Sequence, residues 1–174
     1  MIQLGKFSTV QLTKRILTIS FCLFQSAATQ GLFAQSAVNN SVDVQALNTE
    51  AEAASLYMLN FTLPDTLQPD AVLEVIFPNG FDLSRVNLAG SATINGGFKV
   101  SVQGQTIKVS RKGKGELKYP GDKVDVIFSI VKNPAAAESS HLIKLKIDQK
   151  RKNVSSKELL GTLLISGKKS VTES

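Results

Sequence analysis

Residues 55–63 read Ser-Leu-Tyr-Met-Leu-Asn-Phe-Thr-Leu, and they carry the clearest two-residue periodicity of the chain. Alternate side chains are large and apolar and share one face of an extended segment: Tyr57, Leu59, Phe61 and Leu63. A period of two residues is that of a β-strand with one side buried. The stretch therefore predicts a strand that ends at Pro64 and contributes an aromatic face to a β core.

The chain beyond this strand divides into short segments of the same kind, separated by turn residues. Further strands are predicted at 42–45, 72–77, 92–94, 98–102, 106–110, 124–131, 141–147 and 159–165. Gln103-Gly104 predicts a tight hairpin turn, and Asn133-Pro134 predicts the end of a central strand. Residues 49–55 have locally high helix propensity but are too few for a stable helix, so they predict a turn or a single helical turn. Short strands without a long helical segment are typical of a β-sandwich.

We therefore predict one all-β domain over residues 41–166, an antiparallel sandwich of about seven to nine strands. In the strand at 124–131, alternation places Val126, Phe128 and Ile130 on the inner face. The predicted core collects the inward side chains of the strands: Tyr57, Leu59, Phe61, Val75, Phe77, Val100, Val102, Val126, Phe128, Ile130, Leu145 and Ile147.

The first 34 residues have the pattern of a secretory signal peptide. Three basic residues precede the apolar run 16–24, and small residues follow it. This nine-residue run is too short for a permanent membrane span, which needs about 20 apolar residues. Cleavage is predicted after Ala34, with the region around Ala28 as the second choice. This leaves a leader at 35–40 and a polar tail at 167–174, and it predicts a secreted or cell-surface protein, or a periplasmic one in a diderm bacterium.

Composition narrows the function classes for the remainder. Three of the 20 basic residues precede Ala34 and all 14 acidic residues follow it, so the net charge after Ala34 is +3. That excess is too small to indicate a nucleic-acid partner. The only cysteine, Cys22, lies within the predicted signal, so the exported chain would have no disulfide, thiol nucleophile or thiolate metal site. Acylation of Cys22 is an alternative, although bulky Phe21 before it fits lipoprotein processing poorly.

No group of residues predicts catalysis. His141 is the single histidine, no G-x-S-x-G motif is present, and a surface position at a strand edge is predicted for it. Asp65, Asp70 and Asp122 could serve a small hydrolase or a calcium site, but no calcium-loop motif accompanies them, and turn solvation explains them more simply. We predict a protein that is not an enzyme and has no cofactor and no metal.

Two basic groups are the remaining candidates for a site. They could contact an acidic glycan or another polyanion: Arg111, Lys112, Lys114, Lys118, Lys150, Arg151 and Lys152. Arg111 is predicted to lie with the lysines in an exposed loop that runs to Lys123. The simpler interpretation is that these residues are solvated loop tips that also protect strand edges. The chain has no tryptophan, and Tyr119 is the one exposed aromatic candidate, which weakens the case for sugar recognition.

Three stretches together resemble a known kind of module. They are 57–63 (Tyr-Met-Leu-Asn-Phe-Thr-Leu), 73–81 (Leu-Glu-Val-Ile-Phe-Pro-Asn-Gly-Phe) and 126–134 (Val-Ile-Phe-Ser-Ile-Val-Lys-Asn-Pro). This order resembles immunoglobulin-like β-sandwich modules of secreted and surface-anchored prokaryotic proteins, over residues 55–147. The resemblance implies a structural or adhesive module without catalytic residues. Such modules are usually tandem, whereas this chain has one copy.

The leading hypothesis is therefore a secreted, non-catalytic β-sandwich module with a structural, adhesive or assembly role at the cell surface. Its partner would be a protein or polysaccharide there, with no nucleic acid and no transmembrane segment once the signal is removed. The alternative is binding of an acidic glycan or matrix polymer through the basic loops. A hydrolase or calcium-dependent enzyme is the third and weakest hypothesis.

Overall fold

The computed structural model describes residues 40–149 and 156–168. The predicted signal peptide with Cys22, the leader before Asn40, the basic residues 150–152 and the tail beyond Lys168 lie outside the described residues. Within the two described ranges there are nine strands and no helix. The strands are β1 Val42–Ala46, β2 Ala54–Thr62, β3 Val72–Ile76, β4 Leu88–Gly90, β5 Phe98–Gln103, β6 Thr106–Arg111, β7 Lys123–Lys132, β8 Ser139–Asp148 and β9 Lys157–Ile165.

The strands form two antiparallel sheets. The first has the order β1-β2-β7-β4, and the second has the order β5-β6-β3-β8-β9. Lettered along the chain, β1, β2, β7 and β4 take the places of strands A, B, E and D of an immunoglobulin domain, and β3, β8 and β9 take those of C, F and G. The β5–β6 hairpin widens the second sheet next to β3. The predicted immunoglobulin-like sandwich is confirmed by this topology.

The core lies between the two sheets and is centred on aromatic rings. Tyr57 packs against Phe77 at 5.6 Å and against Phe128 at 6.1 Å between ring centroids, and Phe77 meets Phe81 at 5.1 Å. Nine of the twelve predicted core residues are buried. The exceptions are Val100, Val102 and Ile130, which are only half-buried.

The prediction for Ile130 was wrong because β7 contains a bulge. Ser55 pairs with Val131 and Tyr57 pairs with Phe128, so two steps along β2 oppose three along β7. The extra residue reverses the alternation, and Val131 takes the inward position instead of Ile130. Val100 and Val102 lie on β5, which is the edge strand of its sheet, and an edge strand is covered on fewer sides.

The strand predicted at 92–94 is a loop, and the strand of this region is β4. Hydroxyl and backbone N–H groups of residues 91–93 bond to the carboxylate of Asp125 instead of joining a backbone ladder. Serine and threonine favour such local side-chain bonds over regular strands. The short β4 and this loop together line the free side of β7.

One side of the sandwich is closed where β1 runs along β9. Leu160 N donates to Asn40 O at 3.2 Å, and Ser166 N donates to Thr49 O at 2.8 Å. Gly161 allows this approach, because a Cβ atom there would lie 2.3 Å from Val42 O. The seam therefore depends on the missing side chain at this position.

The Asn-Pro pair after β7 closes one end of the core. Asn133 is buried, and its Oδ1 accepts a hydrogen bond from the Tyr57 hydroxyl at 2.5 Å. Its Nδ2 donates to Asn48 O at 2.9 Å and to Glu50 O at 2.8 Å. Asn133 thus ties the β1–β2 connection to the aromatic core, which gives the Asn-Pro motif of the sequence a structural role.

Candidate binding surface

The outer face of the five-stranded sheet, here the ladder face, carries a row of charged pairs beside three exposed leucines of β8 and β9: Leu142, Leu160 and Leu164. Register places alternating charges in one row across four strands: Lys108, Glu74, Lys146 and Glu158. Lys108 Nζ lies 2.9 Å from Glu74 Oε1, and Glu158 receives Lys146 at 3.7 Å and Lys144 at 3.5 Å. These charges neutralise one another in contact with water, which is typical of a solvated face.

The outer face of the four-stranded sheet, here the front face, has a different composition. Met58 on β2 pairs with Ile127 on β7, and Ile127 pairs with Gly90 on β4. Leu56 is 39% exposed and Leu88 is 64% exposed. The part of the front face near β4 is therefore apolar and open to solvent.

A depression of about 460 Å³ lies in this apolar part. Its floor is the β7 segment around Ile127 and Ser129, and Leu56 and Leu88 stand on opposite walls. A second depression of about 330 Å³ continues along β7, where Lys123 and Asp125 face it. It is lined mainly by polar residues: Ser41, Asp43, Asn60, Thr62, Thr93, Lys123 and Asp125. We call the two together the β7 groove.

Asp125 gives the polar part of the groove its fixed charge. Its carboxylate accepts hydrogen bonds from the Thr93 hydroxyl at 2.6 Å, from Thr93 N at 2.9 Å and from Ser91 Oγ at 3.0 Å. Burial tends to raise the pKa of Asp125, but the hydrogen bonds from Thr93, Ala92 and Ser91 outweigh it, and the pKa is lower than usual. Asp125 is therefore an anion at neutral pH. Asp43 occupies the same row, because it pairs with Asn60 and Asn60 pairs with Asp125.

Arg111 does not lie in an exposed loop tip, and that part of the prediction was wrong. It is the last residue of β6 and only 3% exposed. Nη1 donates to Leu67 O at 3.0 Å and to Gln68 O at 2.7 Å, and Nη2 donates to Glu116 O at 2.6 Å. Burial lowers the pKa of the guanidinium, and Asp70 offsets part of this effect. Arg111 therefore fastens two loops and does not face a ligand.

The lysines of the predicted basic site are placed differently. Lys112 and Lys114 are exposed, and Lys118 is half-buried. Val72 pairs with both Ser110 and Asp148, so the loop after β6 and the segment after β8 leave the sheet at the same end. Acidic residues share this end with the lysines: Asp65, Asp70, Glu116, Asp122 and Asp148. Lys150, Arg151 and Lys152 lie outside the described residues.

His141 is half-buried rather than free at the surface. Its ring meets Phe81 edge-on at 5.1 Å between centroids, and Nε2 lies 2.7 Å from Ser139 Oγ. The Ser139 hydroxyl donates to Ala136 O at 2.8 Å, so its proton is directed away from the imidazole. This pair therefore lacks the arrangement of a nucleophile with its base. Burial lowers the pKa of His141.

Two of the carboxylates considered for catalysis, Asp65 and Asp122, act in turns. Asp65 Oδ1 accepts from Thr66 N at 2.7 Å, and Asp122 Oδ2 accepts from Tyr119 N at 2.9 Å. Across residues 40–149 and 156–168, no three His, Cys, Asp or Glu side chains are grouped as metal ligands. In the same ranges, no helix is long and apolar enough to cross a bilayer.

Sequence reasoning missed the β7 groove. The signal was present in the alternate positions of 55–63, because Leu56 and Met58 are apolar on the side that an ordinary solvated strand would fill with polar residues. The sequence does not show how short β4 is. Because β4 is short, the floor of the groove is left uncovered.

No protein-family model matches the chain, and no curated protein does either. Among solved structures, it is similar to the full-length major pilin SpaD from Corynebacterium diphtheriae, with 14% identity and a TM-score of 0.46 over 70% of this chain and 34% of the pilin. It is similar to the collagen-binding domain of a Staphylococcus aureus adhesin, with 14% identity and a TM-score of 0.40 over 70% of this chain and 95% of that domain.

An uncharacterized protein from Nocardia farcinica with an immunoglobulin-like fold is also similar, with 12% identity and a TM-score of 0.40 over 73% of this chain and 99% of that protein. The chain spans 34–49% of the length of the first three pilin structures. At these identities and scores, no partner or activity passes from those proteins to this chain.

Proposed function

We propose that this protein is a secreted, non-catalytic β-sandwich module with a structural, adhesive or assembly role at the cell surface, and that its front face makes the contact. The apolar depression of the front face carries this proposal. Both outer faces expose leucines, but on the front face Leu56 and Leu88 flank a depression of about 460 Å³, whereas on the ladder face the leucines lie beside a row of ion pairs. Contiguous exposed apolar surface marks interaction sites on folded proteins.

Export is the second part of the proposal, and it is supported by the signal-peptide pattern of residues 1–34. The intact mass of the protein recovered outside the cytoplasm tests it. We expect a species that begins at Gln35. A protein that retains Met1 to Ala34 at its final location would contradict cleavage at this site.

The contact itself is tested by comparing two variants in the source cells. Leu88→Glu places a charge beside the groove, whereas Leu164→Glu places one on the ladder face at almost the same exposure, 64% against 62%. We expect Leu88→Glu to reduce the amount of protein retained on the cell surface and Leu164→Glu to leave it unchanged. Equal retention of both variants and the parent protein would contradict a docking role for the front face.

An acidic glycan is the second candidate partner, and one observation favours it: the loop of Lys112, Lys114 and Lys118 leaves the second sheet at the same end as the last residue of β8, Asp148. Arg111 is excluded from this site because it is buried. Replacing the three lysines by Ser should abolish retention on an anionic column near physiological salt, where isolated exposed charges are screened beyond about 8 Å. Unchanged retention would leave them as solvated loop residues.

A further inference from the structure

We propose that the β7 groove binds an extended peptide segment of a partner protein, with apolar side chains at two alternate positions and a lysine or arginine two residues further on. This inference rests on the proposed function, because it names the chemistry of the partner that the front face would contact.

The shape of the groove favours an extended chain. It follows β7 from Ser129 to Lys123, six residue steps, which corresponds to about 20 Å in a strand. An extended peptide of seven residues has the same length. Leu56 stands on one side, and Leu88 with the loop at 91–93 stands on the other, so a single chain lying parallel to β7 would contact both walls.

The spacing along the groove sets the order of side chains in the peptide. Alternate residues of β7 face outward, and the positions of Ser129, Ile127 and Asp125 are about 7 Å apart. Alternate side chains of an extended ligand have the same spacing. Two apolar side chains would therefore lie over Ser129 and Ile127, between Leu56 and Leu88, and the next alternate side chain would lie in the row of Asp125.

The charges in that row favour a cation. Asp43, Asn60 and Asp125 lie side by side on three neighbouring strands, so a cationic group over Asn60 would have a carboxylate on each side. Lys123 also faces this part of the groove, which leaves one net negative charge among the three ionised groups. Asp125 keeps its charge at neutral pH because of its hydrogen bonds, whereas Asp43 is exposed and accepts a hydrogen bond from the Gln45 side chain.

The test measures binding of labelled peptides to the exported protein by fluorescence anisotropy. The probe is Ser-Leu-Thr-Leu-Thr-Lys-Ser with blocked ends. One matched peptide carries Glu in place of Lys, and another carries the two Leu residues next to each other. We expect a dissociation constant on the order of 100 μM for the probe, since a shallow groove binds a short flexible chain weakly, and about tenfold weaker binding of either matched peptide.

Variants locate the site. Leu88→Glu should weaken probe binding at least about tenfold, and Leu164→Glu should change it by less than about twofold. Asp43→Asn should weaken binding about threefold at low salt and have no effect in 0.5 M NaCl, because an exposed charge pair is screened. An unchanged thermal midpoint of Leu88→Glu excludes unfolding as the cause.

Three results would overturn the inference: no binding of the probe up to 1 mM, equal binding of the Lys and Glu peptides, or full probe binding by Leu88→Glu. Each of these results can be distinguished from a failure of the proposed function. If Leu88→Glu still lost retention on cells while no peptide bound, the front face would remain a docking surface and only its ligand would have been assigned wrongly.

Discussion

The two outer faces of this sandwich share strand geometry and both expose leucines, but they differ in shape and in charge. On the ladder face, Lys108, Glu74, Lys146 and Glu158 alternate in charge across neighbouring strands and neutralise one another. On the front face, Leu56 and Leu88 are exposed beside an uncovered stretch of β7. Charges that are already paired gain little from a partner, whereas apolar side chains that flank a depression are removed from water when a partner fills it.

The difference arises from strand lengths as much as from composition. β7 has ten residues, but its neighbour β4 has only three, so the strand is bordered elsewhere by loop 91–93 and not by a further ladder. On the other sheet, β8 has ten residues and β9 has nine, and they pair along most of their length. A long strand beside a short neighbour thus produces the groove.

The largest effect is expected where the two sheets meet along β1 and β9. Gly161→Ala would place a Cβ atom 2.3 Å from Val42 O, and we expect it to lower the free energy of unfolding by about 3 kcal/mol through overpacking. Gly90→Ala on β4 is the matched control, since nothing lies within 4 Å of its added Cβ. Denaturant unfolding of both variants measures the difference. Similar stabilities of Gly161→Ala and Gly90→Ala would show that the contact between β1 and β9 does not hold the two sheets together.

A smaller effect is expected at the end of the sandwich that carries the basic loop. Arg111→Ala removes a buried guanidinium that donates to three backbone carbonyls, and we expect a loss of about 2–3 kcal/mol. Lys112→Ala, one residue further along, should cost no more than about 0.5 kcal/mol because its side chain is exposed. Urea unfolding of the two variants measures the difference. Equal midpoints would show that the Arg111 side chain does not stabilise the fold, as expected for the exposed residue that the sequence predicted.

These cases show what the sequence could and could not predict. The alternation in 55–63 predicted the strand and its core face, because the polarity of each side chain indicates whether that position is buried. The inward position of Val131 could not be predicted, since the bulge in β7 depends on the partner strand. Arg111 was placed wrongly for a similar reason: its acceptors at Leu67, Gln68 and Glu116 come from two loops that the fold brings together. The β7 groove likewise depends on which strands are neighbours.

A pH-dependent effect of intermediate size is expected from His141, which packs beside Phe81 at the end of the core. Its pKa is lowered by burial, so the unfolded chain binds a proton more readily than the folded one. Stability is therefore complete above the unfolded value of about 6.5 and falls as the pH decreases through it, until the folded group is also protonated. Thermal midpoints between pH 8 and pH 5 should show this fall.

His141→Phe keeps an aromatic ring against Phe81 and removes the titration. Because His141 is the only histidine in the chain, the variant should have a nearly constant midpoint between pH 8 and pH 5. A fall as steep as that of the parent protein would assign the pH dependence to other groups. Peptide binding in the β7 groove should be unchanged by this substitution, since His141 lies on the other sheet.

The smallest effect is expected from the ladder itself. Glu158→Gln removes the acceptor shared by Lys144 and Lys146, but these side chains are 39–44% exposed, and such pairs contribute no more than about 0.5 kcal/mol at low salt. The loss should disappear in 0.5 M NaCl, while Glu116→Gln, at an exposed acid outside the ladder, should show no salt-dependent loss. Glu158→Gln should also bind the probe peptide as the parent protein does. Weaker binding would assign the ladder face a part in recognition and remove the distinction between the two faces, because Glu158 lies on the sheet opposite the groove.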